Sequence, residues 1–145
     1  MRVRDLPDIL EIERHSFPTP WSRGAFLSEL LENERAYYLV ARLPGAEARG
    51  KPVGYIGIWI VIDEGHITNV AVHPDYRSRG VGQKLLFAIG ELAEAKGASR
   101  LTLEVRRSNT GAQRLYQRLG FEGTGVRPGY YRDNDEDAII MWKRL

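Results

Sequence analysis

Hydrophobic residues in the first half of the chain recur at helical spacing and then at strand spacing. The spacing predicts a first helix that begins near Asp5 and ends before the two prolines of residues 17–21, with an apolar face made by Ile9, Leu10 and Ile12. Ser22 is a suitable N-cap for a second helix. That second helix is predicted to place four apolar residues on one side: Phe26, Leu27, Leu30 and Leu31. Strands are predicted at 37–41, 53–61 and 66–72, with a loop at 44–52 and a hairpin turn at 63–65.

The second half of the chain returns to helical spacing after Pro74 and then alternates between strands and helices. Helices are predicted at 80–96, which Gly97 ends, and from Asn109 to Gly120. Strands are predicted at 100–105, 121–126 and 137–143. The helix at 80–96 forms a crossover, so strands 66–72 and 100–105 are expected to be parallel and adjacent. The element order predicts an α+β (mixed α/β) fold, in which about four helices flank a mostly antiparallel central sheet with one parallel strand pair.

Composition and charge narrow the class of protein. The 145 residues are enough for a single domain, predicted over 1–145, and no apolar run approaches the ~20 residues of a membrane helix. The N-terminus has no apolar signal segment and the chain has no cysteine, so a cytoplasmic protein without disulfides is expected. A net charge of +2 is too small to indicate a nucleic-acid partner, and no membrane partner is expected. The sequence leaves the oligomeric state open.

A glycine-containing turn is predicted where the strand at 66–72 leads into the helix at 80–96. Gly80 and Gly82 let the backbone turn tightly and expose N–H groups at a helix start, which is a typical site for a phosphate or diphosphate. Arg77 and Arg79 add positive charge beside it. The residues after Gly82 fit neither a P-loop nor a dinucleotide-binding fingerprint, because Leu85 stands where the latter needs a third glycine or alanine. From these residues alone, a purely structural turn with solvated arginines is an open alternative.

Two segments resemble the GNAT superfamily of N-acetyltransferases. Segment 70–82 resembles the acetyl-CoA motif of that family, in which Gln/Arg-x-x-Gly-x-Gly/Ala is matched by Arg77, Gly80 and Gly82. Segment 109–121 resembles the second signature, Asn-x-x-Ala-x-x-Leu-Tyr-x-x-x-Gly-Phe, so the resemblance spans essentially the whole chain. It implies that the strand backbone at Val70, Ala71 and Val72 pairs with the pantetheine arm of acetyl-CoA. It also implies that one loop binds the diphosphate: Arg77, Ser78, Arg79, Gly80, Val81, Gly82 and Gln83.

Glu104 and Tyr116 are the candidate catalytic residues. Glu104 is predicted to project from its strand on the face opposite the apolar residues, where a carboxylate can accept a proton from an amine. An exposed glutamate without a function would have the same position in the sequence pattern. Segment 103–109 resembles the RimI-type branch, the ribosomal-protein-alanine N-acetyltransferases. This resemblance implies that Glu104 is the general base and that Asn109, also a suitable helix N-cap, contacts CoA. Tyr116 stands at the family's general-acid position, with a core tyrosine as the alternative. Full proton transfer from a tyrosine to a thiolate is uphill by roughly 2 kcal/mol, which favours hydrogen bonding to the leaving sulfur.

The acceptor is predicted to be an N-terminal amine. About one tenth of α-amines, whose pKa is ~8, are neutral at pH 7, whereas fewer than about one lysine side chain in a thousand is neutral. The sequence shows one candidate base and no second one, which suits the amine that is more often neutral. By resemblance to the same branch, Trp21, Tyr130 and Tyr131 border the acceptor, although ordinary packing would also explain these aromatic residues. The acidic run 133–137 is better explained as a solvated turn than as a surface that steers a basic peptide.

No metal site is predicted, because His15, His66 and His73 lack metal-ligand spacing with one another or with carboxylates. The sequence thus predicts an acetyl-CoA-dependent acetyltransferase with a protein N-terminus as its partner. By resemblance this is the N-terminal alanine of a small-subunit ribosomal protein, modified by direct transfer. A broader N-terminal or lysine acetyltransferase and a non-catalytic acyl-CoA-binding module are the alternatives.

Overall fold

The computed structural model describes residues 1–44 and 50–145, which form six strands and four α-helices. The helices are Leu6–Ser16 (α1), Arg23–Leu31 (α2), Val81–Ala95 (α3) and Thr110–Arg118 (α4). The strands are Ala36–Arg42 (β1), Pro52–Val61 (β2), Glu64–Val72 (β3), Arg100–Arg106 (β4), Glu122–Tyr131 (β5) and Glu136–Arg144 (β6). The predicted loop at 44–52 is described only in part, because residues 45–49 lie outside the described residues.

The six strands form one sheet in the order β1-β2-β3-β4-β6-β5. The β3–β4 pair is parallel, as the crossover through α3 predicts, and the other neighbouring strands are antiparallel. The mixed fold class with one parallel strand pair is therefore confirmed. The predicted end of the fifth strand at residue 126 is wrong, because β5 continues through Pro128 to Tyr131. An edge strand tolerates proline, since one side of its backbone needs no partner in the sheet.

The sheet opens between β3 and β4, and this opening positions the functional site. Only the first residues of the two strands pair, from Glu64 with Arg100 to His66 with Thr102. Just beyond His66, the register between β2 and β3 shifts, so that Ile67 and Asn69 face consecutive residues of β2 and Thr68 forms a bulge. A bulge bends its strand and increases the local twist. The carboxyl-terminal half of β3 therefore diverges from β4 and leaves a gap in the sheet.

Helices cover both faces of the sheet. The neighbouring residues Tyr55 and Ile56 of β2 point to opposite faces, as successive strand residues do. Ile56 belongs to an apolar cluster with α3 and α4, whereas Tyr55 belongs to a second cluster with α1 and α2. The sheet is thus the middle of three layers. Within the described part of the chain, no helix is long and apolar enough to cross a membrane.

The predicted apolar side of α2 is only partly correct. Phe26 is fully buried, but Leu31 at the end of the helix is 70% exposed. The buried residue in the last turn is instead Glu29, whose Oε1 accepts hydrogen bonds from Tyr38 Oη at 2.9 Å and from Trp59 Nε1 at 2.6 Å. A buried carboxylate is tolerated when neighbouring donors satisfy it, and a hydrophobicity pattern does not register such donors.

Candidate active site

A cleft of about 760 Å³ lies where β3 leads into α3. It extends along the end of β3 to one side of α4. Ten of the eleven residues predicted to bind acetyl-CoA line it: Val70, Ala71, Val72, Arg77, Ser78, Gly80, Val81, Gly82, Gln83 and Asn109. The predicted cofactor residues are therefore neighbours in space as well as in sequence.

The loop at the start of α3 has the backbone conformation of an anion-binding turn. Ser78 and Gly80 both have positive φ angles, of 61° and 82°, and Gly80 is the N-cap residue of α3. The N–H groups of the first helical turn have no partners within the helix and carry partial positive charge. A Cβ atom at Gly82 would contact Leu115 at 3.7 Å, so a longer side chain there would enter the cleft. These features fit a bound phosphate or diphosphate.

The two predicted loop arginines have different surroundings. The Arg77 side chain holds the turn together, because its Nε donates to the carbonyl of Val72 at 2.9 Å and its Nη2 donates to Ser16 Oγ at 3.1 Å. Arg79 does not line the cleft, and its guanidinium lies 5.5 Å from the centre of the Tyr76 ring. Arg77 therefore connects the loop to the end of α1, while Arg79 contributes charge at the rim.

A second, smaller cavity of about 300 Å³ occupies the gap between β3 and β4. Glu104 lies in its wall, and the predicted acceptor residues Trp21 and Tyr131 also line it. Tyr130 does not line this cavity and instead packs edge-on against Tyr131, with ring centres 5.1 Å apart. Two of the three aromatic residues predicted for the acceptor thus line the cavity that contains Glu104.

The two cavities meet, and this junction is the central feature of the site. Both are lined by the same five residues: Ser16, Phe17, Val70, Asn109 and Tyr116. Asn109 is fixed there by capping α4, because its Oδ1 accepts a hydrogen bond from the N–H of Ala112 at 3.1 Å. A group that enters through the cleft and a group that enters through the smaller cavity can therefore meet beside Tyr116 and Asn109.

Two partners that the sequence did not reveal, His66 and Arg127, hold the Glu104 carboxylate. His66 Nε2 lies 2.6 Å from Glu104 Oε2, and Arg127 Nε lies 3.3 Å from Oε1. Burial alone would raise the pKa of Glu104, but the hydrogen bonds and charges of His66 and Arg127 outweigh it and lower this pKa below its ordinary value. Glu104 is therefore an anion at neutral pH. The parallel register of β3 and β4 could have indicated the contact with His66, because residues 66, 102 and 104 share one face.

Tyr116 is buried at the junction, and its hydroxyl stays protonated. The side chain is 8% exposed, and burial raises its pKa to about 12. Relative to an ordinary thiol, this difference makes full proton transfer to a thiolate uphill by about 5 kcal/mol, more than the roughly 2 kcal/mol expected from reference values. Tyr116 is suited to donate a hydrogen bond to a developing thiolate rather than to ionise.

A second carboxyl group lines the smaller cavity, contrary to the expectation that no other candidate base is present. Glu13 of α1 is 1% exposed, and its Oε2 accepts from the N–H of Trp21 at 2.8 Å. Its Oε1 accepts from the hydroxyl of Tyr55, which in turn accepts from Asn69. Burial raises the pKa of Glu13 to about 7, although the Trp21 N–H acts in the opposite direction. The helical spacing from Ile9 to Glu13 was the available signal, since it places Glu13 on the buried face.

Arg106 supports the wall that carries Tyr131. Its guanidinium lies 4.0 Å from the centre of the Tyr131 ring and donates two hydrogen bonds to Asp133, at 3.0 and 3.1 Å. It also contacts Glu136 at 3.3 Å. Asp133 and Glu136 therefore attach the β5–β6 hairpin to Arg106 at the end of β4. The acidic run does form a turn, as predicted, but these two side chains are paired with Arg106 and are not simply solvated.

Spacing along the sequence did not predict that His15 and His73 lie close to each other. The structure brings them together with Glu11, so that one potential ligand atom of each residue lies within 4.8 Å of the others. Helical periodicity places residues 11 and 15 on one face, but only the tertiary structure brings the end of β3 against α1. This cluster is separate from the two cavities, whose walls contain none of its three members.

Fold, motifs and cavities together define a class of protein, and comparison with known proteins agrees with it. Residues 6–121 match the acetyltransferase (GNAT) family, and the chain belongs to that family. It is therefore an N-acetyltransferase, of a fold that uses acetyl-CoA.

Named relatives cover almost the whole chain. The chain is 48% identical over 142 residues to a provisionally named ribosomal protein bS18-alanine N-acetyltransferase of Bacillus subtilis strain 168, covering 98% of this chain and 91% of that protein. It is 38% identical over 143 residues to the ribosomal protein bS18-alanine N-acetyltransferase of Escherichia coli K12, covering 97% of this chain and 92% of that protein. The crystal structure of the ribosomal-protein-S18-alanine N-acetyltransferase from Escherichia coli matches with a TM-score of 0.87 and 35% identity, over 100% of this chain and 90% of that one.

Proposed function

We propose that the chain transfers the acetyl group of acetyl-CoA to the N-terminal α-amine of a protein, and that the acceptor is the N-terminal alanine of ribosomal protein bS18. The names of the two relatives support this acceptor. The observation that carries the proposal is the junction of the two cavities at Val70, Asn109 and Tyr116, with Glu104 in the wall of the smaller one. One domain over residues 1–145 contains both binding cavities.

Acetyl-CoA occupies the larger cleft in this proposal. The N–H groups of the loop from Arg77 to Gln83 bind its diphosphate, because a helix N-terminus and two positive-φ residues direct donors to one point. The edge of β3 that faces β4 pairs with it only as far as His66. Peptide groups from Val70 to Val72 can therefore hydrogen-bond the pantetheine arm, which carries the thioester to the junction.

The acceptor amine enters the smaller cavity beside Glu104. The carboxylate attracts a protonated N-terminus, and at pH 7 about one tenth of such amines are already neutral. The neutral nitrogen forms a bond to the thioester carbonyl carbon and becomes acidic as this bond forms. Glu104 then accepts the N–H proton, directly or through one water, even though its pKa is low.

The leaving sulfur is stabilised by Tyr116. When the C–S bond breaks, both bonding electrons go to sulfur, and the Tyr116 hydroxyl donates a hydrogen bond to the thiolate. Because the pKa of Tyr116 is about 12, the proton that finally neutralises the thiolate comes from the amine by way of Glu104 or solvent. The transfer is direct and forms no covalent intermediate with the chain.

The dimensions of the smaller cavity favour a small first residue. About 300 Å³ is shared by the amine, the first side chain and the start of the next residue, and Trp21 and Tyr131 stand on the wall. Alanine fits this space without displacing the aromatic residues. A lysine side chain would need to reach Glu104 in its rare neutral form.

A peptide panel tests the proposal. We expect rapid thiol release from acetyl-CoA with a peptide that begins with alanine, and little release when its N-terminus is already acetylated but an internal lysine is free. Mass spectrometry locates the new acetyl group. Turnover of the blocked peptide at the same rate would show a lysine acetyltransferase. Acetyl-CoA binding without release for any peptide would show a non-catalytic module.

A further inference from the structure

The cluster of Glu11, His15 and His73 has the composition of a transition-metal site. Glu11 and His15 are one turn apart on α1, and His73 follows the last residue of β3. Glu11 Oε1 lies 3.8 Å from His73 Nε2, and the two imidazole rings meet edge to face with centres 5.6 Å apart. One ligand atom of each residue lies within 4.8 Å of the other two.

These ligand types and distances suit zinc and chemically similar dications. Two imidazole nitrogens and one carboxylate oxygen form a common three-residue zinc set, which leaves the fourth tetrahedral position to water. With zinc–nitrogen bonds of about 2.0–2.1 Å, tetrahedral ligand atoms are about 3.4 Å apart. The observed separations therefore need only small rotations of side chains, of which Glu11 is 40% exposed and His15 is also exposed.

A further carboxylate lies beside the second ring nitrogen of His73. Its Nδ1 accepts a hydrogen bond from the N–H of Asp75 at 3.1 Å and lies 3.8 Å from the Asp75 carboxylate. In this tautomer the ring proton is on Nε2. Coordination through Nε2 moves that proton to Nδ1, so the hydrogen bond from the Asp75 N–H is exchanged for one that Nδ1 donates to the Asp75 carboxylate. A histidine ligand with a carboxylate behind its other ring nitrogen is a frequent arrangement in zinc proteins.

We infer that Glu11, His15 and His73 bind a divalent transition-metal ion of the zinc class. The ion connects α1 to the turn that precedes the diphosphate loop. Ser16, the next residue after His15, accepts a hydrogen bond from Arg77 and lines both cavities. A bound ion therefore fixes the end of α1 at the junction of the two cavities, and it stabilises the folded state because the unfolded chain lacks the site.

Titration with Co²⁺ alone, followed by visible absorption, tests this inference on the full chain without any acyl transfer. We expect saturable 1:1 binding with the intense absorption of tetrahedral Co²⁺, and displacement of Co²⁺ by Zn²⁺. His15→Ala and His73→Ala should each raise the dissociation constant by at least ~10-fold, the lower limit for residues that support a metal site. His66→Ala is the matched control, because it removes the third histidine of the chain and should leave Co²⁺ affinity unchanged.

Thermal unfolding gives a second readout. Zn²⁺ should raise the midpoint of the wild type and of His66→Ala, and should leave that of His15→Ala unchanged. If His15→Ala does not fold, Glu11→Gln replaces it, since the exposed Glu11 side chain can be changed without altering its size. Absence of saturable Co²⁺ binding, or equal binding by the wild type and the cluster variants, would overturn the inference. Either result leaves the proposed acetyl transfer untouched, because the peptide assay is independent of the metal.

Discussion

Replacing the buried Glu13 with glutamine should stabilise the protein in a pH-dependent way. The Glu13 carboxyl is 1% exposed, with Trp21 and Tyr55 as its hydrogen-bond partners. Glutamine is close in shape to the protonated carboxyl group and is likewise neutral, with an oxygen that accepts hydrogen bonds and an NH₂ group that donates them. Its oxygen can accept from the Trp21 N–H, while its NH₂ group faces the Tyr55 hydroxyl, which also has lone pairs. The variant therefore imitates Glu13 in its protonated state at every pH.

The magnitude follows from the difference in pKa between the two states of the chain. The pKa of Glu13 is about 7 in the folded protein, against an ordinary value of 4.5 for the unfolded chain. Between these values the folded state holds a proton that the unfolded state has released, so the free energy of unfolding of the wild type falls as pH rises through this window. Well above pH 7, Glu13 no longer makes this contribution to the free energy of unfolding. At 1.36 kcal/mol per pH unit, the contribution changes by about 2.5 kcal/mol between pH 5 and pH 8.

Urea unfolding of both proteins, followed by tryptophan fluorescence at pH 5 and pH 8, measures this effect. The stability of Glu13→Gln relative to the wild type should be more favourable at pH 8 than at pH 5 by about 2.5 kcal/mol. Other titrating groups cancel in the comparison. Glu32→Gln, at the exposed end of α2, is the control and should show no such difference. An equal stability difference at both pH values would refute the titration of a buried Glu13.

Three further substitutions separate the roles of the site residues. Glu104→Gln should lower kcat for an alanine-first peptide by ~10²-fold or more and leave the acetyl-CoA dissociation constant unchanged; equal loss of both would contradict its role as base. Tyr116→Phe keeps the packing but removes the donor to sulfur, and should lower kcat by roughly 10- to 100-fold; an unchanged kcat would exclude that hydrogen bond. Arg106→Lys loses the planar contacts with Tyr131 and Asp133, and should raise the peptide KM by roughly 10-fold with an unchanged KM for acetyl-CoA; a rise in both would indicate general misfolding.

Local signals account for the parts of this molecule that the sequence predicted correctly. The Ser22 and Asn109 caps depend on residues three positions away, and both hydrogen bonds are present at 3.1 Å. The glycine turn before α3 likewise depends on the backbone freedom of Gly80, which has a φ of 82°. The helix starts and the turn before α3 could therefore be predicted from neighbouring residues alone.

The parts that the sequence did not predict depend on contacts between distant residues. Glu104 meets His66 across 38 positions, and Tyr55 meets Glu13 across 42. Such pairs require the register of β3 against β4 and the placement of α1 on the sheet. The hydrophobic pattern specifies which residues are buried, but it does not specify the polar partner that each buried carboxyl group finds.

Calorimetric titration of acetyl-CoA into the wild type and Gly82→Phe tests whether the cleft at the start of α3 binds the diphosphate. A phenyl group at residue 82 would occupy that cleft. Gly24→Phe on the exposed start of α2 is the control for a glycine replaced far from the cleft. We expect one binding site in the wild type, with the same affinity in Gly24→Phe and an affinity weakened by at least ~10-fold, or about 1.4 kcal/mol, in Gly82→Phe. Unchanged affinity in a correctly folded Gly82→Phe, or no heat of binding in the wild type, would contradict diphosphate binding in this cleft.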